Sequence, residues 1–205
     1  MFRCFVAPRK QKTSWKPFLI GIGIFVLIGV LVYMNTESIE IDGSQYAYTD
    51  DEVEYDNPDM VVVKFSDFQC PACAQQAPIL KQLKENHRVN IDYKHFPLTQ
   101  IHPFAQSAGE ASECARDQNR FWAYHDVLFD NQPRYADNFL RQYAEALELD
   151  MDAFNACMDN RDKQVLVTQD YQEGVDLGVT GTPTLFVDGE RVEDRSYAGL
   201  VALMD

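Results

Sequence analysis

Lys64–Pro78 reads "KFSDFQCPACAQQAP" and holds two of the five cysteines, Cys70 and Cys73, with two residues between them. The residues on either side decide what this pair sits on. Met60–Phe65, "MVVVKF", is a β-branched run suited to a buried strand. After the pair, "PACAQQAPILKQLKEN" carries apolar residues at helical spacing at Ala74, Ala77, Leu80 and Leu83. Pro71 falls in the first turn, where a helix tolerates proline. "VNIDYKHFPL", from Val89, reads as a second strand. The pattern is strand, helix, strand, and Cys70 lies at or just before the helix N-terminus.

Three readings of a C-x-x-C pair compete. A zinc site needs a second ligand pair at similar spacing. Cys114 and Cys157 stand alone, and the four histidines are scattered. A static bridge across two residues closes a tight, easily reduced ring. The redox reading has a mechanism: the positive end of a helix stabilises a thiolate in its first turn. Cys70 is then the exposed attacking thiolate, and Cys73, one turn further in, resolves the mixed disulfide.

Further along, His102–Gln132 reads as helical, with an apolar stripe of Phe104, Ala108, Ala111, Ala115, Phe121, Trp122 and Leu128. Shorter helices are expected at Asp137–Leu147 and Met151–Asn160, and a longer one from Asp162 to Leu177. In "GVTGTPTLFVDGERV", "TLFV" is a strand, Asp188-Gly189 a tight hairpin turn and "RVE" the start of the return strand. "SYAGLVALMD" suits a closing helix. The order βαβ, helical block, α, ββ, α is that of an α/β thioredoxin-like fold with a helical insertion at about 100–165, within a domain spanning 59–205.

The first part of the chain has a different character. Phe18–Met34, "FLIGIGIFVLIGVLVYM", runs 17 residues without a charge, near the lower limit for a membrane-spanning helix. Trp15 and Tyr33 mark its ends. Arg3, Arg9, Lys10, Lys12 and Lys16 all precede it and make residues 1–17 a basic tail. The positive-inside bias puts that tail in the cytoplasm and the rest outside, as a single-pass protein. A cleaved signal peptide fits less well, because "YMNTESIE" offers no small-x-small site. Residues 35–58 read as an acidic linker with no sustained period.

From Glu37 onward 32 acids face 13 bases, a balance of 13 − 32 = −19. Such a surface repels phosphate backbones and argues against nucleic-acid binding.

"VVVKFSDFQCPAC", "FPLTQIHPFAQSAGEASECARDQNRFWAYHDVLF" and "GVTGTPTLFVDG" together resemble the DsbA-like thiol-disulfide oxidoreductases of bacterial envelopes, in their membrane-anchored, single-domain branch. The resemblance covers about Asp59 to the C-terminus. It implies a cis proline at Pro183 facing the cysteines, with Thr182 offering its backbone to a substrate peptide. It also implies thiol-containing exported proteins as substrates and a quinone-linked membrane reoxidase of the DsbB or VKOR type as partner. No organic cofactor or metal is needed for the exchange itself.

Two positions depart from the family. Where DsbA proper carries Pro-His between its cysteines, this chain has Pro71-Ala72, which leaves the helix end alone to favour the reduced form and implies a weaker oxidant. Family members often carry a carboxylate six residues before the first cysteine, where this chain has Lys64. Lys64 could lower a cysteine pKa by its charge, pair with an acid, or simply snorkel from a strand end. Asp67 is a second candidate for electrostatic tuning.

Cys114 and Cys157 fall in two helices of the insertion and fit either buried free thiols or a structural disulfide. Relatives with a comparable pair favour the bridge. Cys4 belongs to the cytoplasmic tail on this topology. His87, His95, His102 and His125 read as satisfied surface or cap residues. Phe121, Trp122, Tyr124 and Phe129 read as core, and Phe68, beside Cys70, as a candidate for touching a peptide.

The expected activity is oxidation of substrate thiols by the Cys70–Cys73 disulfide. The rivals are a reductase or isomerase on the same fold, a non-catalytic peptide-binding module and a transient copper site.

Overall fold

The structure is a computed structural model and describes residues 41–46 and 54–204. Strand β1 (Met60–Ser66) enters helix α1 (Pro71–Asn86), which returns to β2 (Val89–His95). β1 and β2 pair in parallel from Met60↔Val89 to Ser66↔His95, so α1 is the crossover that a parallel pair requires. Four helices follow: α2 (Ala105–Arg116), α3 (Phe121–Asp130), α4 (Asp137–Ala146) and α5 (Met151–Asn160). Then α6 (Gln164–Asp176) leads to β3 (Thr184–Val187), β4 (Glu190–Val192) and the short closing helix α7 (Tyr197–Val201). The sheet order is β2-β1-β3-β4, with β3 antiparallel to both β1 and β4. This is the mixed α/β, thioredoxin-like sheet with inserted helices that the sequence pattern anticipates.

Alternation along β1 assigns its two faces. Met60 and Val62 point into one core with Leu80 and Leu83 of α1, Val89, Leu185, Val187 and Leu200. Phe65 points the other way, into a cluster with Phe96 and Val179 against which Tyr171 of α6 packs. At Gly174 α6 comes so close that a Cβ would meet the rings of Phe96 and Phe65 at 2.6 and 2.9 Å.

The hairpin turn at Asp188-Gly189 has positive φ at both residues, 49° and 88°, as a two-residue loop between right-twisted strands demands. The helical pattern read over His102–Gln132 resolves into two helices. Asn119 takes a left-handed φ of 57° and ends the run between Arg116 and Phe121. In the linker, Gly43–Tyr46 forms one 3-10 turn, and the buried Tyr46 hydroxyl donates to Asp130 at 2.8 Å. The expected anchor at Phe18–Met34 lies outside the described residues, as do the basic tail and Cys4. Among the described residues no helix is long and apolar enough to cross a membrane.

Candidate active site

Cys70 is the N-cap of α1, with extended backbone at φ −76° and ψ 119°, and Pro71 opens the helix. The cap side chain makes no hydrogen bond to the helix backbone, which leaves the sulfur turned toward the neighbouring loop. The Cys70 thiol donates to the carbonyl oxygen of Thr182 at 3.4 Å. The Thr182-Pro183 peptide is cis, as the resemblance implies, and brings this loop against the cysteines just before β3. Cys70 is 8% exposed and Cys73 0%, and the two sulfurs are unbonded.

The two thiols differ sharply in acidity. Cys70 is lowered to about 5, chiefly because the Cys73 thiol donates to its sulfur. Partial burial opposes this, while the Thr182 hydroxyl and the backbone N–H groups of Cys73 and Ala72 add to it. That hydroxyl is buried and makes no hydrogen bond while Cys70 donates to the Thr182 carbonyl. Cys73 is pushed well above the ordinary thiol value by burial and by its bond to Cys70. At neutral pH the pair therefore holds a thiolate at the rim and a protonated thiol beneath it. Ala72 contributes its backbone only, and the helix end needs no histidine to reach this asymmetry.

Lys64 continues the row Met60–Val62–Lys64–Ser66 on the face of β1 that packs under α1. It is 1% exposed, and its ammonium has no hydrogen-bond partner. Its Nζ instead lies 5.1 Å from the Phe129 ring centroid and 5.4 Å from that of Tyr93, within cation–π range. Burial pulls its pKa down to about 8, against the opposing pull of Cys73, Asp126 and Cys70. In turn its charge draws the Cys73 pKa downward. The lysine is thus neither a snorkelling surface residue nor half of a salt bridge; it is a buried cation beneath the cysteine pair.

Asp67 is buried too, but it serves the loop. Its carboxylate accepts from the N–H of Gln69 at 2.7 Å, the N–H of Leu98 at 2.8 Å and His102 Nδ1 at 2.8 Å. His102 thereby ties the start of the insertion to the active-site turn.

Two other histidines are not surface residues. His95 is buried and bonds Glu113 at 2.8 Å, and His125 is buried with Nδ1 on Asp126 at 2.8 Å. Burial holds His125 down to about 4, so its ring is neutral at physiological pH. Phe68 is also displaced from its expected role. It is 1% exposed, stacked on Tyr93 at 5.4 Å and packed on Phe129 at 5.1 Å. A ring that deep cannot touch a peptide. Phe121, Tyr124 and Phe129 are core as expected, whereas Trp122 is only half-buried.

Sequence reading missed the residues that hold the turn from the insertion side. Gln132 Nε2 donates to the carbonyls of Phe68 at 2.6 Å and Cys70 at 3.2 Å. The Tyr135 hydroxyl bridges the Phe68 and Leu128 carbonyls at 2.6 and 2.9 Å. The one sequence signal in this segment is Pro133, and the structure finds the Gln132-Pro133 peptide cis. Cys114 of α2 and Cys157 of α5 are joined in a disulfide across 43 residues, with Cα atoms 5.9 Å apart. Among the described residues no three His, Cys, Asp or Glu side chains are grouped to hold a metal ion.

Known proteins place this arrangement. A family model described as thioredoxin matches residues 56–205. The Na(+)/H(+) antiporter NhaA 1 of Salinispora arenicola is 43% identical over 135 residues, 64% of this chain but 20% of that protein. The chain therefore spans about a fifth of the length of that relative. The probable disulfide bond formation protein D of Bacillus cereus is 26% identical over 186 residues, 83% of this chain and 86% of that protein. The crystal structure of the thiol-disulfide exchange protein alpha-DsbA2 from Wolbachia pipientis matches with a TM-score of 0.66 at 20% identity, over 74% of this chain and 83% of that one. At that identity the likeness is one of fold. The chain belongs to the thioredoxin family, and its fold is the one found in the DsbA-like members of that family.

Proposed function

We propose that the chain is a thiol-disulfide oxidoreductase that passes a disulfide from Cys70–Cys73 to thiols of exported proteins. The observation that carries this reading is the place of Cys70, at the N-terminus of α1 and 3.4 Å from the carbonyl of the cis Thr182-Pro183 loop, with Cys73 fully buried behind it; the split acidity of the pair agrees with it. A substrate thiolate attacks Cys70 Sγ of the oxidised pair. The Cys70–Cys73 bond breaks, and Cys73 leaves as a thiolate that takes up a proton. A second substrate thiolate then attacks the substrate sulfur of the mixed disulfide and expels Cys70 as a thiolate. The substrate has lost two electrons to become a disulfide, and the pair has gained them.

Stabilising Cys70 as a thiolate stabilises the reduced pair, because only that form carries the charge. A stabilised reduced form makes the oxidised form a stronger oxidant. This favours the oxidising direction over the reductase reading, even with Pro71-Ala72 between the cysteines. Thr182 supports the same step from the facing loop, since its hydroxyl and the N-terminus of α1 hold the expelled thiolate. Reoxidation would fall to a membrane partner of the DsbB or VKOR type. The anchor at Phe18–Met34 would keep the domain at the outer face of the membrane, with its basic tail in the cytoplasm. The sequence alone supports that topology.

The test is direct. The oxidised protein is mixed with a reduced peptide carrying two cysteines, and disulfide formation is followed. The wild type converts the peptide stoichiometrically. Cys73→Ser, which has no disulfide to give, is instead offered a peptide whose single cysteine is activated with thionitrobenzoate; its Cys70 thiolate attacks the peptide sulfur, expels thionitrobenzoate and stays trapped as the mixed disulfide. Full conversion by a Cys70→Ala, Cys73→Ala variant would show that the pair does not carry the chemistry.

A further inference from the structure

A cavity of about 230 Å³ opens between α1, β2 and α3, with Lys64 of β1 also in its lining. Ala77, Leu80, Ile91 and Trp122 give it apolar walls, and Lys64 and His125 also line it. Its charged lining is Lys64, Lys81 and Lys84 against Glu85 and Asp126. Bases outnumber acids there, in a chain whose net charge is −14.

Two of the lining residues carry a buried polar atom with no hydrogen-bond partner, Lys64 Nζ and His125 Nε2. Such groups are rare, because each costs its desolvation in full. The Asp126 carboxylate is engaged by His125 Nδ1 at 2.8 Å and by Lys81 at 3.0 Å. Lys84 lies over the Trp122 ring at 5.1 Å. A buried ammonium without a hydrogen bond is best satisfied by an anion. The volume suits a body of one ring, since an apolar cavity of about 150 Å³ holds benzene.

We propose that this cavity is a binding site for a small amphipathic carboxylate, whose apolar body packs between Leu80, Ile91 and Trp122 and whose carboxylate is held by the Lys64 ammonium. No atom of this site belongs to the disulfide exchange itself, so the proposal stands apart from the redox reading. The two are linked through Lys64, whose charge acts on Cys73. A bound carboxylate would neutralise that charge and disfavour the reduced pair.

Benzoate is the probe, with benzyl alcohol as its neutral counterpart, titrated into the oxidised protein. The indole N–H signal of Trp122 is followed by NMR; the other tryptophan, Trp15, lies far off in the sequence. Saturable binding of benzoate is expected at millimolar concentration, at least tenfold tighter than benzyl alcohol. Lys64→Met should weaken benzoate at least tenfold and leave benzyl alcohol within threefold. Ala77→Phe, which places a ring in the cavity, should abolish both.

Three results would overturn the proposal. They are no saturable shift below 50 mM, equal affinity for the two probes, or benzoate binding indifferent to Lys64→Met. Peptide oxidation by the wild type without benzoate reads the redox reaction separately, so the failure of either reading is distinguishable from that of the other.

Discussion

The sulfur of Cys70 lies 3.4 Å from the backbone carbonyl oxygen of Thr182, so the helix that carries the nucleophile and the loop before β3 meet at one atom. As a thiol, Cys70 donates to that carbonyl. As a thiolate it has no proton to give and turns to the Cys73 thiol, the Thr182 hydroxyl and the helix N–H groups. Ionisation thus exchanges one weak bond for several charge-assisted ones.

Alkylation should follow that asymmetry. In the reduced protein, iodoacetamide should modify Cys70 with a rate that rises through a midpoint near pH 5. Cys73 should remain unmodified through neutral pH. Mass spectrometry of the labelled peptide over pH 3–9 checks this. A midpoint near 8 to 9 would mean that the helix end and Cys73 do not hold the thiolate.

The same ionisation makes the reduced fold depend on pH. The folded Cys70 pKa of about 5 lies below its ordinary value of 9.0. The unfolded chain therefore binds more protons between the two, and stability of the reduced form rises with pH across that window. Urea unfolding should find the reduced protein gaining on the oxidised one from pH 5 toward 9. The advantage should shrink as pH falls through 5.

Lys64 gives stability the same slope with pH, but as a penalty relieved rather than a gain acquired. Its folded pKa of about 8 lies below the ordinary 10.5, so protonation favours the unfolded chain. That penalty is full below pH 8 and gone above 10.5. The gap corresponds to about 3 kcal/mol at pH 7. Lys64→Met should therefore stabilise the oxidised protein by up to that amount, with the gain fading between pH 8 and 10.5. The same change removes a cation that favours both thiolates, so the reduction potential should become more negative, by about 30 mV for each tenfold loss. A destabilised Lys64→Met variant would contradict the placement of this charge.

Tyr135 and the disulfide act on the frame. Tyr135→Phe removes the donor that bridges the Phe68 and Leu128 carbonyls and should cost about 1–3 kcal/mol in urea unfolding. Joint replacement of Cys114 and Cys157 by serine opens a 43-residue loop and should cost about 2–4 kcal/mol. The alkylation midpoint of Cys70 should stay where it is, since neither cysteine contributes to its acidity.

The strands and most helix bounds were legible because each follows a local period. "MVVVKF" and "TLFV" are strands as read, and Met151–Asn160 is the helix as read. Asn119 was not, because a left-handed residue inside an apolar stripe leaves no mark on that period. The cysteine pair and its place at the helix start were also local. Lys64 stayed ambiguous because its meaning depends on what covers it, and Phe129 comes from 65 residues later in the chain. Phe68 misled for the same reason: nearness to Cys70 in sequence says nothing about which way the ring turns. Gln132 and Tyr135 reach the active-site turn across more than 60 residues, a separation to which no local pattern is sensitive.

The reduction potential of the Cys70–Cys73 pair decides whether it oxidises or reduces its substrates. The couple is equilibrated with glutathione buffers at pH 7, with the Cys114–Cys157 bridge intact, and the reduced fraction is read by alkylation. A value between about −120 and −180 mV, the range of DsbA and protein disulfide isomerase, is the expected result. A value near −270 mV, like that of thioredoxin, would contradict it and make the protein a reductase.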